Sequence, residues 1–244
     1  MERLGPTWHL ATVHEVQRET PRATTIVLDI DEWPGHLAGQ HVDLRLTAED
    51  GYQAQRSYSI ASSPEDPTLA LTVERIDDGE VSPYLTDEVR AGDQLEVRGP
   101  IGGYFTWRVE DGGPLVLIAG GSGIVPLTAM LRHRADASSD VAAALLVSAR
   151  TADDVLYADD LERHRALGVD VRCTLTREQP DGWSGWTGRV DAEQLLAIGA
   201  EPTLRPRTYV CGPTGFVEHV ADLLVDLGHD PHAIKAERFG ASGG

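Results

Sequence analysis

The spacing of apolar residues changes once along this chain, around residues 107–113, and that change of period restricts the fold more than any other feature. Upstream, apolar and polar residues alternate in short runs: Trp8–Val16, Thr24–Ile30, His41–Leu46, Ser57–Ala61 and Leu69–Ile76. A period of two belongs to strands that bury one face. Breaks such as Glu32-Trp-Pro-Gly35 and Ser63-Pro-Glu-Asp-Pro67 separate the runs, and Pro and Gly at such points end strands and make turns. Five or six short strands so spaced predict an antiparallel β-barrel or sandwich, interrupted by one short helix at Pro83–Val89.

Beyond Asp111-Gly-Gly-Pro114 the pattern is different. Leu115–Ala119 is a continuous apolar run, and further strand-length runs follow at Ala142–Val147, Val169–Leu175, Thr208–Cys211 and Ala233–Ala236. Helical stretches fall between them at Pro126–Arg134, Ala158–Leu167, Ala192–Ile198 and Gly215–Leu227. Strands alternating with helices predict an α/β doubly wound parallel sheet. The expectation is therefore two domains, residues 1–108 and 109–244, a division that 244 residues readily allow.

Charge and cysteine usage narrow the function. With 39 acidic residues against 21 basic ones the net charge is −18, which disfavours nucleic acid and anionic membrane as partners, because polyanions are gripped by clustered Lys and Arg. The basic side chains are nearly all Arg; Lys235 is the only lysine. Cys173 and Cys211 are the only cysteines, too few for a cysteine-ligated iron–sulfur cluster or a disulfide scaffold. Residues 1–6 lack the apolar core of a secretory leader. No apolar run approaches the roughly 18 residues of a membrane span. A cytoplasmic protein without a membrane segment is expected.

Four short segments carry chemistry. Gly120-Gly-Ser-Gly-Ile-Val-Pro126 follows the first parallel strand; its glycines would let a pyrophosphate approach the backbone, and Pro126 near a helix start leaves the other N–H groups facing the anion. Cys211-Gly-Pro-Thr-Gly215 ends the fourth predicted strand at the same sheet edge and would frame one cleft with it. In the barrel half, Arg56-Ser-Tyr-Ser-Ile-Ala-Ser62 places Arg56, Tyr58 and Ile60 on one strand face and Ser57 and Ser59 on the other. Gly79-Glu-Val-Ser-Pro83 reads as a loop whose Ser82 caps a helix beginning at Pro83, with N–H groups open to an anion. Each also has a bland reading: a tight turn, an inert buried thiol, an ordinary paired strand and a simple helix cap. His229 and His232 have metal-like spacing, but Pro231 between them makes a surface turn the better reading, and no metal is assigned.

In order and spacing these segments resemble the ferredoxin–NADP reductase family of flavoprotein reductases over nearly the whole chain. Arg56-Ser-Tyr-Ser59 is similar to its R-x-Y-S flavin motif, Gly79–Ser82 to its flavin pyrophosphate loop and Gly99-Pro-Ile-Gly102 to its G-P-x-G turn. Gly120–Pro126 resembles the pyridine-nucleotide pyrophosphate loop, including Gly121, Ser122, Gly123 and Ile124, and Cys211-Gly212-Pro213 the C-G-P nicotinamide motif. Glu237-Arg-Phe239 resembles the C-terminal segment that closes over the flavin.

The resemblance implies FAD, with FMN left open, and hydride arriving from NADPH or NADH. It places Tyr58 against the flavin ring and Arg56 at its phosphates, and adds Ser57, Val73, Arg75 and Val81 to the flavin set. Ser59 would bond near flavin N5, Cys211 would pack at nicotinamide C4, Glu237 would orient that pair, and Phe239 would cover the flavin until nicotinamide displaces it. Thr176-Arg177 resembles the Ser-Arg pair that holds a 2′-phosphate, with Arg150 or Arg189 as auxiliaries, and favours NADPH; Asp153, Asp154 and Glu178 pull towards NADH. The implied acceptor is a separate ferredoxin or an iron–sulfur or haem oxygenase component. The alternatives are a reductase of free flavin, a ferric chelate or a quinone, and a nucleotide-sensing module without turnover.

Overall fold

Alternation becomes pairing in the first half. In the computed structural model, which describes residues 7–48 and 50–239, six strands form one antiparallel sheet: β1 (Thr7–Thr20), β2 (Ala23–Ile30), β3 (His41–Thr47), β4 (Gln53–Ser59), β5 (Leu69–Glu74) and β6 (Gln94–Ile101). Their order is β4-β3-β6-β1-β2-β5. The edges meet where Ile60, just past β4, bridges Leu71 of β5 and the Ala61 N–H donates to the Ala70 carbonyl, so the sheet curls into a barrel. Inward positions hold Val13, Ile26, Leu28, Val42, Leu44, Leu71 and Val97, all buried. Side chains of this size each gain roughly 1.5–3 kcal/mol from leaving water. The first six residues and residues 241–244 lie outside the described residues.

Three local expectations need correction. Gly99–Gly102 is not simply a turn, because Gly99, Pro100 and Ile101 extend β6, with Thr7 opposite Gly99 and His41 opposite Ile101. Gly99 is required there by close approach: a Cβ would stand 2.7 Å from Val42 Cγ1 on β3. β4 begins at Gln53, four residues before the expected Ser57, because its alternation is carried mainly by polar residues and Ala54. The short helix α1 (Ser82–Asp87) has Val81 at its N-cap. Ser82 is no cap; its hydroxyl accepts the Ile76 N–H at 3.0 Å, pinning the preceding loop.

The second half is a six-stranded parallel sheet: β7 (Leu115–Gly120), β8 (Ala143–Ala149), β9 (Asp170–Leu175), β10 (Trp186–Thr187), β11 (Arg207–Pro213) and β12 (Ile234–Phe239), ordered β10-β9-β8-β7-β11-β12. Helices α2 (Ile124–Asp136) and α3 (Ala158–Ala166) cover one face through Leu127, Met130, Leu131 and Leu161. Helices α4 (Ala192–Ala197) and α5 (Thr214–Asp226) cover the other through Leu195, Val217, Val220 and Leu224. The chain runs outward from β7 to β10 and then returns to the other side of β7. The reversal lies between β7 and β11, where doubly wound sheets bind ligands beyond their carboxyl ends.

The two sheets share a seam. One buried cluster joins Ala23, Ala38, Ala61, Ala70, Phe105 and Trp107 of the first half to Leu127, Met130, Leu131 and Tyr209 of the second. Arg132 of α2 pairs with Asp160 of α3 and donates 2.8 Å to the Ala61 carbonyl. The Tyr157 hydroxyl bonds Thr72 Oγ1, and the Tyr209 hydroxyl donates 2.8 Å to the Thr106 carbonyl. Among the described residues no helix is long and apolar enough to cross a membrane.

Candidate active site at the seam between the sheets

The Gly-rich turn lies against the cysteine strand. Gly120 ends β7, and Gly121–Gly123 form one 3-10 turn leading into α2. Gly123 is buried so tightly on β11 that a Cβ there would stand 2.1 Å from the Cys211 carbonyl oxygen and 2.7 Å from the Gly212 nitrogen. No other residue fits. α2 begins at Ile124, so Pro126 is its third residue rather than its first, a place where a missing N–H still costs nothing. Ile124 and Pro126 are buried and support the turn from beneath.

A cleft of about 230 Å³ opens in front of this turn. Gly120, Gly121, Ser122, Ser148, Arg150, Thr176, Pro213 and Phe216 line it from the parallel sheet; Thr20, Arg22, Ala23 and Glu74 line it from the barrel. Thr176 holds the Ala149 carbonyl with its hydroxyl at 3.1 Å. Arg177 does not line the cleft; its backbone N–H is bonded to the Arg150 carbonyl at 2.9 Å. Arg189 is exposed and also stands outside the lining. Of the acids expected to compete, Asp154 reaches the cleft, but its carboxylate accepts from the backbone N–H and hydroxyl of Thr151. The barrel's Arg22 and Glu74 were invisible to motif reading, because only folding brings β1, β2 and β5 to face β8.

Beside the cleft, four residues come into line across the seam. Ser59 on β4 is the register partner of His41 on β3. His41 Nδ1 stands 4.0 Å from Glu237 Oε1 on β12. Glu237 is in turn the register partner of Cys211 on β11. Cys211 is fully buried, and Phe239 packs half-buried against the same cluster. Burial raises the Glu237 carboxyl to about 7, and its Oε2 is buried without a hydrogen-bond partner in the protein. Burial, together with the nearby Glu237 carboxylate, pushes the Cys211 thiol well above its ordinary value, so it stays neutral. Burial also lowers the pKa of His41. The sequence offered no signal for His41, which reads only as the first residue of a strand.

The flavin-type motifs also converge. Arg56 Nη2 donates 3.0 Å to Glu80, inside the Gly79–Ser82 loop, which links the two segments. The half-buried Tyr58 packs against the barrel core, and burial raises its phenol pKa. Ser57 donates 2.6 Å to Asp43. Arg75 pairs with Asp77 and Asp87 at the rim. Val73 and Val81 are buried in the barrel core, which leaves their backbone groups as what they can offer a ligand. The residues present fit both groups: a flavin edge would meet the unpartnered Glu237 oxygen, and a dinucleotide would find glycine backbone flanked by Arg150 and Arg22.

Residues 9–106 match the oxidoreductase FAD-binding domain and residues 117–222 the oxidoreductase NAD-binding domain. The glycine betaine monooxygenase reductase subunit of Chromohalobacter salexigens is 33% identical over 211 residues, covering 84% of this chain and 56% of that protein. The chain thus spans little more than half the length of this relative. The cytochrome P450 reductase GcoB of Amycolatopsis superposes with a TM-score of 0.84 at 27% identity, over 98% of this chain and 71% of that one. A ferredoxin–NADP+ reductase from Neisseria gonorrhoeae with bound FAD and NADP shares the fold at a TM-score of 0.80 and 23% identity, over 95% and 98% of the two chains.

Proposed function

Because the chain belongs to the ferredoxin–NADP reductase family of flavoprotein reductases, we propose that it draws hydride from NAD(P)H, with NADPH preferred, and delivers electrons singly to a separate ferredoxin or oxygenase component. The observation that carries this reading is the line Ser59–His41–Glu237–Cys211, assembled from both sheets. The names of the relatives support the acceptor class: a reductase subunit of a monooxygenase and a reductase of a cytochrome P450.

FAD, when bound, supplies the site that accepts hydride and releases electrons one at a time. The chain's own residues bind, orient and protect. Arg56 exchanges its exposed contact with Glu80 for the flavin phosphates, at small cost because such pairs are worth 0–1 kcal/mol. Tyr58 faces the ring, and the Gly79–Ser82 loop with the backbone of Val73, Arg75 and Val81 completes the cradle. Gly120–Gly123 receives the nucleotide pyrophosphate, and Arg150 with Thr176 meets the 2′-phosphate in place of Arg177. Phe239 withdraws to admit the nicotinamide. Cys211 then packs beneath it as a neutral thiol, fixing the distance on which hydride transfer depends. Near pH 7 Glu237 is present in both protonation states, so one of its oxygens can hold a proton beside His41. We assign the reaction to the cytoplasm, where Cys173 and Cys211 stand as free thiols.

The test is an anaerobic titration of FAD-loaded protein with NADPH and with NADH, read at the flavin band near roughly 450 nm, followed by addition of an oxidised ferredoxin. Bleaching by NADPH and recovery with the ferredoxin are expected. A flavin that neither nucleotide bleaches would refute hydride transfer. Bleaching without recovery by any one-electron acceptor would move the assignment to small-molecule reduction.

A further inference from the structure

The parallel sheet has a second cavity, at the end opposite the nucleotide cleft. About 420 Å³ in volume, it lies where β7, β11 and β12 begin, and Arg205, Arg207, His232 and Lys235 converge on it with Asp111 as the single acid. Along β11 its nearest lining residue, Tyr209, is separated from Pro213 by about 13 Å, at 3.3 Å per residue. It is therefore no part of the site described above.

Its charge runs against the rest of the molecule. The chain as a whole carries −18, and several arginines elsewhere pair with acids, as Arg45 does with Glu96, Arg98 with Asp43 and Arg132 with Asp160. Arg205 and Arg207 are exposed and form no ion pair with a described residue. Asp111, whose carboxylate also accepts the Arg108 N–H of its own turn at 2.9 Å, is one acid against four basic side chains in the lining. Lys235, the only lysine, is half-buried; its Nζ donates 3.0 Å to the Thr106 carbonyl and 3.2 Å to the Tyr209 hydroxyl. An ammonium has three donors, so one remains. Thr208, also in the lining, has a buried hydroxyl with no partner in the protein. The basic side chains gather at the starts of two adjacent strands, β11 and β12, with Asp111 the single acid among them.

We propose that this cavity binds a small oxyanion bearing several charges, a phosphate ester or a polycarboxylate, with Arg205 and Arg207 forking its oxygens and Lys235 closing the inner end. Bidentate guanidinium contacts suit both anion types, and the volume is that of a small-molecule site. Burial lowers the Lys235 pKa, Asp111 opposes this and Arg207 adds a smaller effect in the same direction as burial.

The lone lysine makes the test site-specific. In FAD-loaded protein, the acetylation rate of Lys235 by a water-soluble acylating reagent is read by peptide mass spectrometry against rising inorganic pyrophosphate, citrate or chloride at matched ionic strength. Saturable protection of about fivefold or more by pyrophosphate or citrate is expected, and none by chloride. Protection by pyrophosphate alone identifies a phosphate ligand; equal protection by citrate identifies carboxylates. In the Arg205→Gln/Arg207→Gln variant the half-protecting concentration should rise at least tenfold, as for loss of a charge-assisted contact. Both side chains are exposed, and retained FAD content reports that the variant is folded. Protection that follows ionic strength alone would overturn the proposal, and so would protection that the double variant leaves intact. Neither readout depends on turnover, so failure here is distinct from failure of the reductase reading.

Discussion

Replacing Glu237 with Gln should stabilise the flavin-free protein, and do so only above mildly acidic pH. In the fold, burial holds this carboxyl at about 7, against an ordinary 4.5. Between those values the native state keeps a proton that the unfolded chain has released, so wild-type stability falls as pH rises. Each pH unit across that window removes 1.36 kcal/mol, and the loss reaches about 3 kcal/mol by pH 8. The side chain is only 25% exposed, so water screens little of this. His41, whose burial lowers its own pKa, brings no compensating charge at pH 8. Glutamine keeps the shape and cannot ionise. Urea unfolding followed by tryptophan fluorescence should show the variant ahead of wild type by about 3 kcal/mol at pH 8 and by less than about 1 kcal/mol at pH 5. An equal difference at both pH values would show that the carboxylate is not desolvated as described.

Other perturbations probe the rest of the site. Gly123→Ala forces a methyl group to 2.1 Å from the Cys211 carbonyl; it should lower stability by about 1–3 kcal/mol and weaken NADP+ binding, measured by thermal melting and by calorimetric titration. Arg150→Gln should raise the KM for NADPH at least tenfold and leave that for NADH unchanged, whereas Arg177→Gln should change neither; the reverse pattern in steady-state kinetics would return the 2′-phosphate to Arg177. Cys211→Ala should slow flavin reduction in stopped flow far more than it weakens nucleotide affinity, and equal rates would remove Cys211 from the reacting centre. Arg56→Ala should weaken FAD retention while hardly altering the stability of the flavin-free protein, because the exposed Arg56–Glu80 pair contributes at most about 1 kcal/mol.

Where the sequence was readable, burial was regular. β7 and most of β8 follow from apolar runs, since a parallel strand hidden on both faces must be largely apolar, and β9 follows from alternation, with Val171, Cys173 and Leu175 set between Asp170, Arg172 and Thr174. α5 is equally clear, its Val217, Val220 and Leu224 repeating at helical spacing. β6 was not readable, although Leu95 and Val97 alternate with Glu96 and Arg98, because Gly99 and Pro100 at its end read as punctuation. β10 is two residues long, too short for any period. Among site residues, those in motifs with special backbone demands stood out: Gly123 has no room for a side chain, and Cys211 sits at a strand end. His41, Arg22 and Glu74 owe their places to distant strands coming together. No local pattern records such meetings, nor that Arg177, one residue beyond Thr176, stands outside the cleft lining.

The shared cluster at the seam bears on how this architecture can be handled. By its matching domains the chain looks like two exchangeable modules, each with its own nucleotide. Physically the joint is interior, not hinge. Cutting near residue 108 would strip Ala38, Ala61 and Trp107 from Leu127 and Met130, leave the Arg132 guanidinium without the Ala61 carbonyl, and lay apolar surface open to solvent on both fragments. A chimera that borrows one half from a relative therefore inherits a foreign mating face. Its success turns on whether that face can be repacked, not on whether the imported half folds or carries the right motifs.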